Sequence, residues 1–475
     1  MSHLSPFLTD QKHRLRQLIS DLSEEFSYVS VLGVDTAAKS YEAKRSGSAI
    51  NDSIWSERGF VARVYNGNYY SEYSFNTLNE ETYPSVVEKI TATAKDSVKA
   101  LSSKGLSHRE YDLLKENELI KSSNKKVKIP PSSVGPKEKI EKMTETMDHA
   151  LTLSNELVDC RVRYEEVTIS KVFLSTAKDL EQSYTYSTAA LIPIAVRDGN
   201  MKYSFKSLSG LKGVEILDEL YACAEPAVNE VIELLGAEPV SPGEYDIICD
   251  PDMSGLIAHE AFGHGVEMDM FVKHRAKAEE FIDKRVGSDL VVMHDGATSA
   301  DEVSSYLFDD EGTLGTDTKI IENGILKRGI SDALSAMQLG TLPTGNGKRE
   351  SYERKAYTRM TNTFFAPGKD NLEDMIKSIS KGYLLEGFQS GMEDPKNWGI
   401  QCVAMKGREI IDGKITGKIV APVFLTGYVP DLLESITMVS NDLELSGSGA
   451  CGKGHKEWVK TSTGGPFIKC KGRLG

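Results

Sequence analysis

Cys249-Asp250-Pro251-Asp252-Met253-Ser254-Gly255-Leu256-Ile257-Ala258-His259-Glu260-Ala261-Phe262-Gly263-His264 is the most informative stretch of the chain. An apolar β-run over 245–249 ends at Cys249. Asp250 then supplies a helix N-cap and Pro251 fits the first helical position. The helix predicted to follow carries His259, Glu260 and His264, an H-E-x-x-x-H arrangement. The commoner H-E-x-x-H places its imidazoles four residues apart on one face. Five residues at about 100° each leave these two rings roughly 140° apart on a regular α-helix, too far round to share a metal ion at about 2.0–2.1 Å. A single turn widened to i→i+5 bonding returns them to one side, and such turns favour functional sites. A π-type turn is therefore expected here, with Gly263 supplying backbone freedom.

Outward from this helix the pattern changes character in the two directions. Toward the C-terminus, short β-runs at 319–322, 325–329, 399–406, 408–411 and 414–423 alternate with turn glycines, predicting a mostly antiparallel β domain. Toward the N-terminus, Glu238-Pro239-Val240-Ser241-Pro242-Gly243 marks a boundary. Before it, an order of helix, strands, helix occurs twice. Leu15, Leu18, Ile19, Leu22 and Phe26 form an amphipathic stripe. Strand-like runs follow at 28–35, 41–45, 59–65 and 69–75, then a helix at 86–101. A second set comprises a helix through Ile140, Met143, Met147 and Leu151, strands at 161–174, 182–188, 191–196 and 201–205, and a helix at 217–235. The polar, proline-bearing stretch 121–139 between the sets reads as a connection. The expected fold class is α+β. An N-terminal α/β domain over 1–240 has an internal boundary near 121–139, and a β-rich domain over 241–475 carries the inserted metal-binding helix.

The 475 residues are 40% hydrophobic and 27% charged, ordinary values for a globular chain. Fifty-six Lys and Arg against 70 Asp and Glu leave a net charge of −14, which disfavours general nucleic-acid binding. The longest apolar run, 189–196, is too short to span a membrane and contains Pro193. The first residues lack the basic and apolar regions of a signal peptide. Six thinly spread cysteines without a CxxC pair read as reduced thiols, so a cytoplasmic location is expected.

Zinc needs a third protein ligand, and the candidates are His274, His294, the cysteines, Glu267 and Asp269. Cys451 stands out because Ser446-Gly447-Ser448-Gly449-Ala450-Cys451-Gly452 is a glycine-rich loop that lets backbone approach a metal. Cys249 and Cys402 lie in apolar β-runs and read as core. The same loop matches G-x-G-x-x-G, but no helix follows it. Asp309-Asp310-Glu311-Gly312 lacks the spacing of a calcium loop and reads as an acidic surface turn.

Taken together, HEAFGHGVEMD (259–269), DDEGTLG (309–315), TGNGKRESY (344–352), Tyr357-Thr358-Arg359-Met360-Thr361-Asn362-Thr363, MVSNDLEL (438–445) and GACGK (449–453) resemble the TldD/PmbA family of metallopeptidases. The H-E-x-x-x-H motif places the chain with the TldD type, since the PmbA type, also called TldE, lacks it. The resemblance implies Zn²⁺ held by His259, His264 and Cys451, with Glu260 as the general base that activates a zinc-bound water. It also implies unfolded or short peptides as substrates and a dimer, either with a second copy or with a PmbA/TldE-type paralogue. Gly454-His455-Lys456-Glu457-Trp458 departs from the TldD-type pattern, so substrate contacts near the metal are expected to differ, with His455 either one of them or a solvated loop histidine. The competing reading is a catalytically silent assembly subunit with a structural metal, against which Glu260 beside a ligand argues.

Overall fold

The computed structural model describes residues 4–103, 110–453 and 456–475. Nine strands of the N-terminal half form one sheet: β1 (Tyr28–Lys44), β2 (Gly47–Asp52), β3 (Glu57–Tyr65), β4 (Tyr70–Phe75), β5 (Leu119–Lys125), β6 (Leu157–Ser175), β7 (Lys178–Arg197), β8 (Asn200–Tyr203) and β9 (Lys206–Gly210). The main order is β4-β3-β1-β6-β7-β5, so the two helix–strands–helix sets meet at the β1–β6 pair. Successive side chains of a strand point to opposite faces, and the sheet uses both. Val29, Val31, Tyr41 and Ala43 of β1 pack under helices, as do Val162 and Val172 of β6. Leu32, Val34 and Ala38 face the other way, toward residues 297–314 of the C-terminal half.

Several elements differ from the sequence reading. The runs at 28–35 and 41–45 are one 17-residue strand, because Thr36 to Ser40 keep the pairing with β6 although their polarity hides it. Residues 182–188 and 191–196 likewise belong to the single strand β7. The stretch 121–139 is not a bare connection. Its first part is edge strand β5, parallel to β7, and its last part opens the helix Pro136–Thr152, whose Lys139 is buried against Glu166 at 2.7 Å. Backbone pairing supplies the order there, and polar composition does not reveal it. The helix expected at 217–235 is two, Ile216–Tyr221 and Ala224–Leu235.

In the C-terminal half, strands Gly243–Cys249, Lys381–Asp394, Gly399–Ile411, Val423–Tyr428 and Ile468–Leu474 pair in that order, and the last also pairs with the first, closing a ring. The pairing is antiparallel except between Gly243–Cys249 and Lys381–Asp394. A six-stranded sheet lies beside the ring, and helix Pro251–Ala258 packs between the two. Its Gly255 abuts strand Ser462–Gly465, where an added Cβ would sit 2.5 Å from the Gly464 backbone. Among the described residues no helix is long and apolar enough to cross a membrane.

Asp309, Asp310 and Glu311 form no surface turn, since all three are buried against the nine-stranded sheet. Arg63 of β3 reaches Glu311 at 2.6 Å and Glu72 at 2.7 Å, Arg349 also holds Glu72, and Lys171 of β6 reaches Asp310 at 2.5 Å. Gly312 follows with φ +72°, and a side chain there would strike the Phe173 ring at 2.3 Å. The acidity that suggests a surface is balanced by cations from the facing sheet, which composition read locally cannot reveal. Removing one partner of such a set leaves an uncompensated buried charge. Arg63→Met is therefore expected to lower stability by about 3–5 kcal/mol, as read by denaturant unfolding. A change below about 0.5 kcal/mol would show that this ion set does not secure the sheet.

Candidate metal centre

Asp250 caps the helix by accepting the Met253 N–H at 2.8 Å, while its other oxygen accepts the Gly387 N–H at 2.7 Å and ties the helix start to the ring. The α-helix ends at Ala258, and His259–Gly263 form the π-type turn that the motif spacing requires. Its signature is the His264 N–H donating to the His259 carbonyl. Gly263 plays a different part from the one expected. Its φ of −70° is open to any residue, but a Cβ would lie 2.1 Å from Met360 Sδ, so close packing is what demands glycine. Phe262 fixes the turn from the other side by entering an aromatic cluster, 5.5 Å from the Trp398 ring.

The widened turn brings the rings of His259 and His264 to 5.2 Å between centroids, nearly perpendicular. Cys451 reaches them from the hairpin Ala450–Lys453 and Lys456–Lys460, with Sγ 3.3 Å from His264 Nε2. One ligand atom from each of the three residues lies within 4.8 Å of the others. His259 Nδ1 is buried without a hydrogen-bond partner. Burial pushes the Cys451 thiol up, but His259 and then His264 outweigh it and hold the thiol down to about 5. Two imidazoles, one of them with an orphaned nitrogen, beside a ready thiolate form a donor set suited to a borderline-soft divalent ion such as zinc.

Arg359 and Lys453, which the sequence reading did not single out, surround these three together with the ligand candidates Glu267 and Asp269. Arg359 is fully buried and donates from Nη2 to both Cys451 Sγ and the Cys451 carbonyl at 3.0 Å, and from Nε to Glu267 at 3.2 Å. Lys453 bridges Glu267 at 3.0 Å and Asp269 at 2.6 Å. Glu267, 3.6 Å from His264 Nδ1, orients that ring from behind. Burial would raise the Glu267 carboxyl, but Lys453, then His264 and Arg359, hold it far below the usual range. The remaining ligand candidates are engaged elsewhere: His274 bonds Glu279 at 3.1 Å and His294 bonds Asp317 at 2.7 Å. Cys249 and Cys402 are core residues, and His455 lies outside the described residues.

Two glycines make room for two carboxylates. A Cβ on Gly391 would meet Glu260 Cγ at 2.6 Å, and one on Gly265 would meet Glu393 Oε1 at 2.9 Å. Residues 391 and 393 share a face of strand Lys381–Asp394, beneath the turn. Burial pushes Glu393 up to about 9, and both of its oxygens lack partners. The motifs gave no signal for Glu393, because only the cross-chain packing brings it here.

Residues 242–472 match the family model described as PmbA/TldA metallopeptidase C-terminal domain. A metalloprotease of Methanocaldococcus jannaschii is 30% identical over 412 residues, covering 86% of this chain and 89% of that protein. The chain belongs to the TldD/PmbA metallopeptidase family. A zinc metalloprotease TldD homolog of Saccharolobus solfataricus is 30% identical over 339 residues, 70% of this chain and 75% of that one. The crystal structure of TldE from Thermococcus kodakarensis shares the fold, with a TM-score of 0.74 at 17% identity over 97% of this chain and 99% of that one.

In protein stripped of metal, the Cys451 thiolate should persist down to a midpoint near pH 5, read as ultraviolet thiolate absorbance against a Cys451→Ser control. Arg359→Met should move the midpoint up, since a donor to the ionised sulfur is lost. A wild-type midpoint near the ordinary thiol value of about 8.5 would contradict the electrostatics described.

Proposed function

We propose that the protein is a zinc-dependent peptidase acting on unfolded or short peptides. The carrying observation is the convergence of His259, His264 and Cys451 within 4.8 Å, with Glu260 next to His259 in the chain, in a member of a metallopeptidase family. His259 and His264 as neutral imidazoles and Cys451 as a thiolate are the ligands. Zinc at this position supplies Lewis acidity, lowering the pKa of water and polarising a peptide carbonyl. Glu260, in the same widened turn as both histidines, takes the proton of the attacking water and returns it to the leaving amine. Gly391 leaves the space in which that carboxylate sits. Arg359 steadies the thiolate and Glu267 the His264 ring, so both ligands are fixed from outside the ion.

The reading extends to a cytoplasmic dimer, with a second copy or a PmbA/TldE-type paralogue. Six free cysteines suit a reducing compartment. Met201, Tyr203 and Phe205 are largely exposed along one margin of the nine-stranded sheet, which suits a covered face. The domain division near residue 240 belongs to the same proposal.

Protein purified without chelators is expected to carry about one zinc per chain, and Cys451→Ala to lose most of it. Glu260→Gln should retain the metal while peptide hydrolysis falls by a factor of about 10²–10⁴, because shape is preserved and the base removed. Metal analysis and a peptide-cleavage assay on the same preparations check both. A zinc-loaded Glu260→Gln protein that cleaves at near wild-type rate would remove Glu260 from the reaction.

A further inference from the structure

A cavity of about 80 Å³ lies between β6–β7, on the face turned away from the helices, and C-terminal residues around 303–310, 348–350 and 459–460. Tyr184, Tyr186 and Tyr306 supply much of its wall, and Lys171, Lys348 and Lys460 also border it. Lys171 is spent on Asp310. Lys348 Nζ donates to Ser304 Oγ at 2.9 Å and to the carbonyls of Met360 and Lys460. Lys460 Nζ donates to the Ser448 carbonyl at 3.2 Å and stands 5.8 Å from the Tyr186 ring centre. Among the described residues neither of these two ammonium groups has a carboxylate within 4.0 Å.

The acids on the same wall are committed elsewhere. Asp310 accepts from Lys171 and the Arg349 N–H, and Asp309 from the N–H groups of Glu311, Thr313 and Gly347. Glu57 accepts the Tyr352 N–H, and Glu350 faces Arg354. Burial pulls Lys348 down to about 7 and Lys460 to about 8, outweighing Asp295 and Asp310 near the first and Glu165 and Glu302 near the second, none of which makes an ion pair with them.

The cavity adjoins the hairpin that carries Cys451. Val459, on its wall, is the cross-strand partner of Cys451, and paired positions lie about 5 Å apart. Lys348 holds the Met360 carbonyl, one residue from the Arg359 that donates to Cys451 Sγ.

Resting on the peptidase reading above, we infer that this cavity receives the free C-terminal carboxylate of a peptide substrate, with Lys460, backed by Lys348, as its ion partner. The cavity is several times the roughly 10–15 Å³ that a single water needs, which leaves room for a carboxylate. The favoured substrates are then peptides that end in a free carboxylate.

The test is calorimetric binding to the zinc-loaded Glu260→Gln protein of one short peptide as its free acid, the same peptide as its C-terminal amide, and inorganic phosphate. The acid should bind at least about tenfold tighter than the amide, as expected for a charge-assisted contact. Lys460→Gln should bring that ratio near one, and Lys460→Arg should restore it. If Lys460→Gln fails to fold, the acid-to-amide ratio on the Lys460-intact protein decides. Equal binding of acid and amide overturns the inference even when wild type cleaves both, and the peptidase reading then survives. Phosphate binding without any preference for acid over amide overturns it too, leaving a site for inorganic anions. Preferential binding of the acid by a wild-type protein that cleaves neither peptide supports the subsite and instead removes the peptidase reading.

Discussion

The hydrogen bond from the His264 amide to the His259 carbonyl is the constraint on which the candidate metal centre depends. A regular turn would send the two imidazoles to different sides of the helix, and no side-chain rotation would repair a divergence of roughly 140°. The widened turn weakens local bonding, yet it is held by features that do not involve an ion. Asp250 fixes the helix start, Phe262 anchors in the aromatic cluster, and Gly255 and Gly263 allow backbone and Met360 to press close. The packing thus selects the turn, and the turn selects which pair of nitrogens face Cys451.

Around that turn, burial and charge are balanced with little slack. Glu267 sits between Arg359 and Lys453 with almost no exposure, and the same two cations reach Cys451 and Asp269. The arrangement repeats farther out, where Arg63 and Lys171 of the nine-stranded sheet neutralise Glu311 and Asp310. Ions this deep are stable only in company. The N-terminal sheet therefore contributes charges to the loop that holds Gly347 and Arg349, whose neighbour Lys348 donates to the Lys460 carbonyl of the Cys451 hairpin, although it supplies none of the three proposed ligands.

What could be read in the sequence was what local rules govern. Capping by Asp250, the need for a π-type turn, the buried stripe of Leu15, Leu18 and Leu22, and a β-rich half beyond residue 240 follow from spacing and composition. Cys451 could be singled out by its glycine-rich setting, and the resemblance implied the three residues that the fold brings together. What stayed hidden depends on partners far away in the chain. The acidic run 309–311 looks like surface until Arg63 and Lys171 are placed beside it. Strand β5 looks like linker until β7 offers it a backbone edge. Gly263 looks like a hinge until Met360 arrives against it, and Glu393 carries no local mark at all.

The position of Cys451 in the chain has one more consequence. It stands 187 residues from His264, its neighbour across the site. Any ion that joins them closes a loop spanning most of the C-terminal half, and it confines the unfolded chain far more than an ion between neighbouring ligands would. The same closure tethers the last hairpin to the helix that is laid down early in that half. Occupancy of the centre is therefore also a topological clasp, through which the tail of the protein reports on whether its middle is correctly assembled.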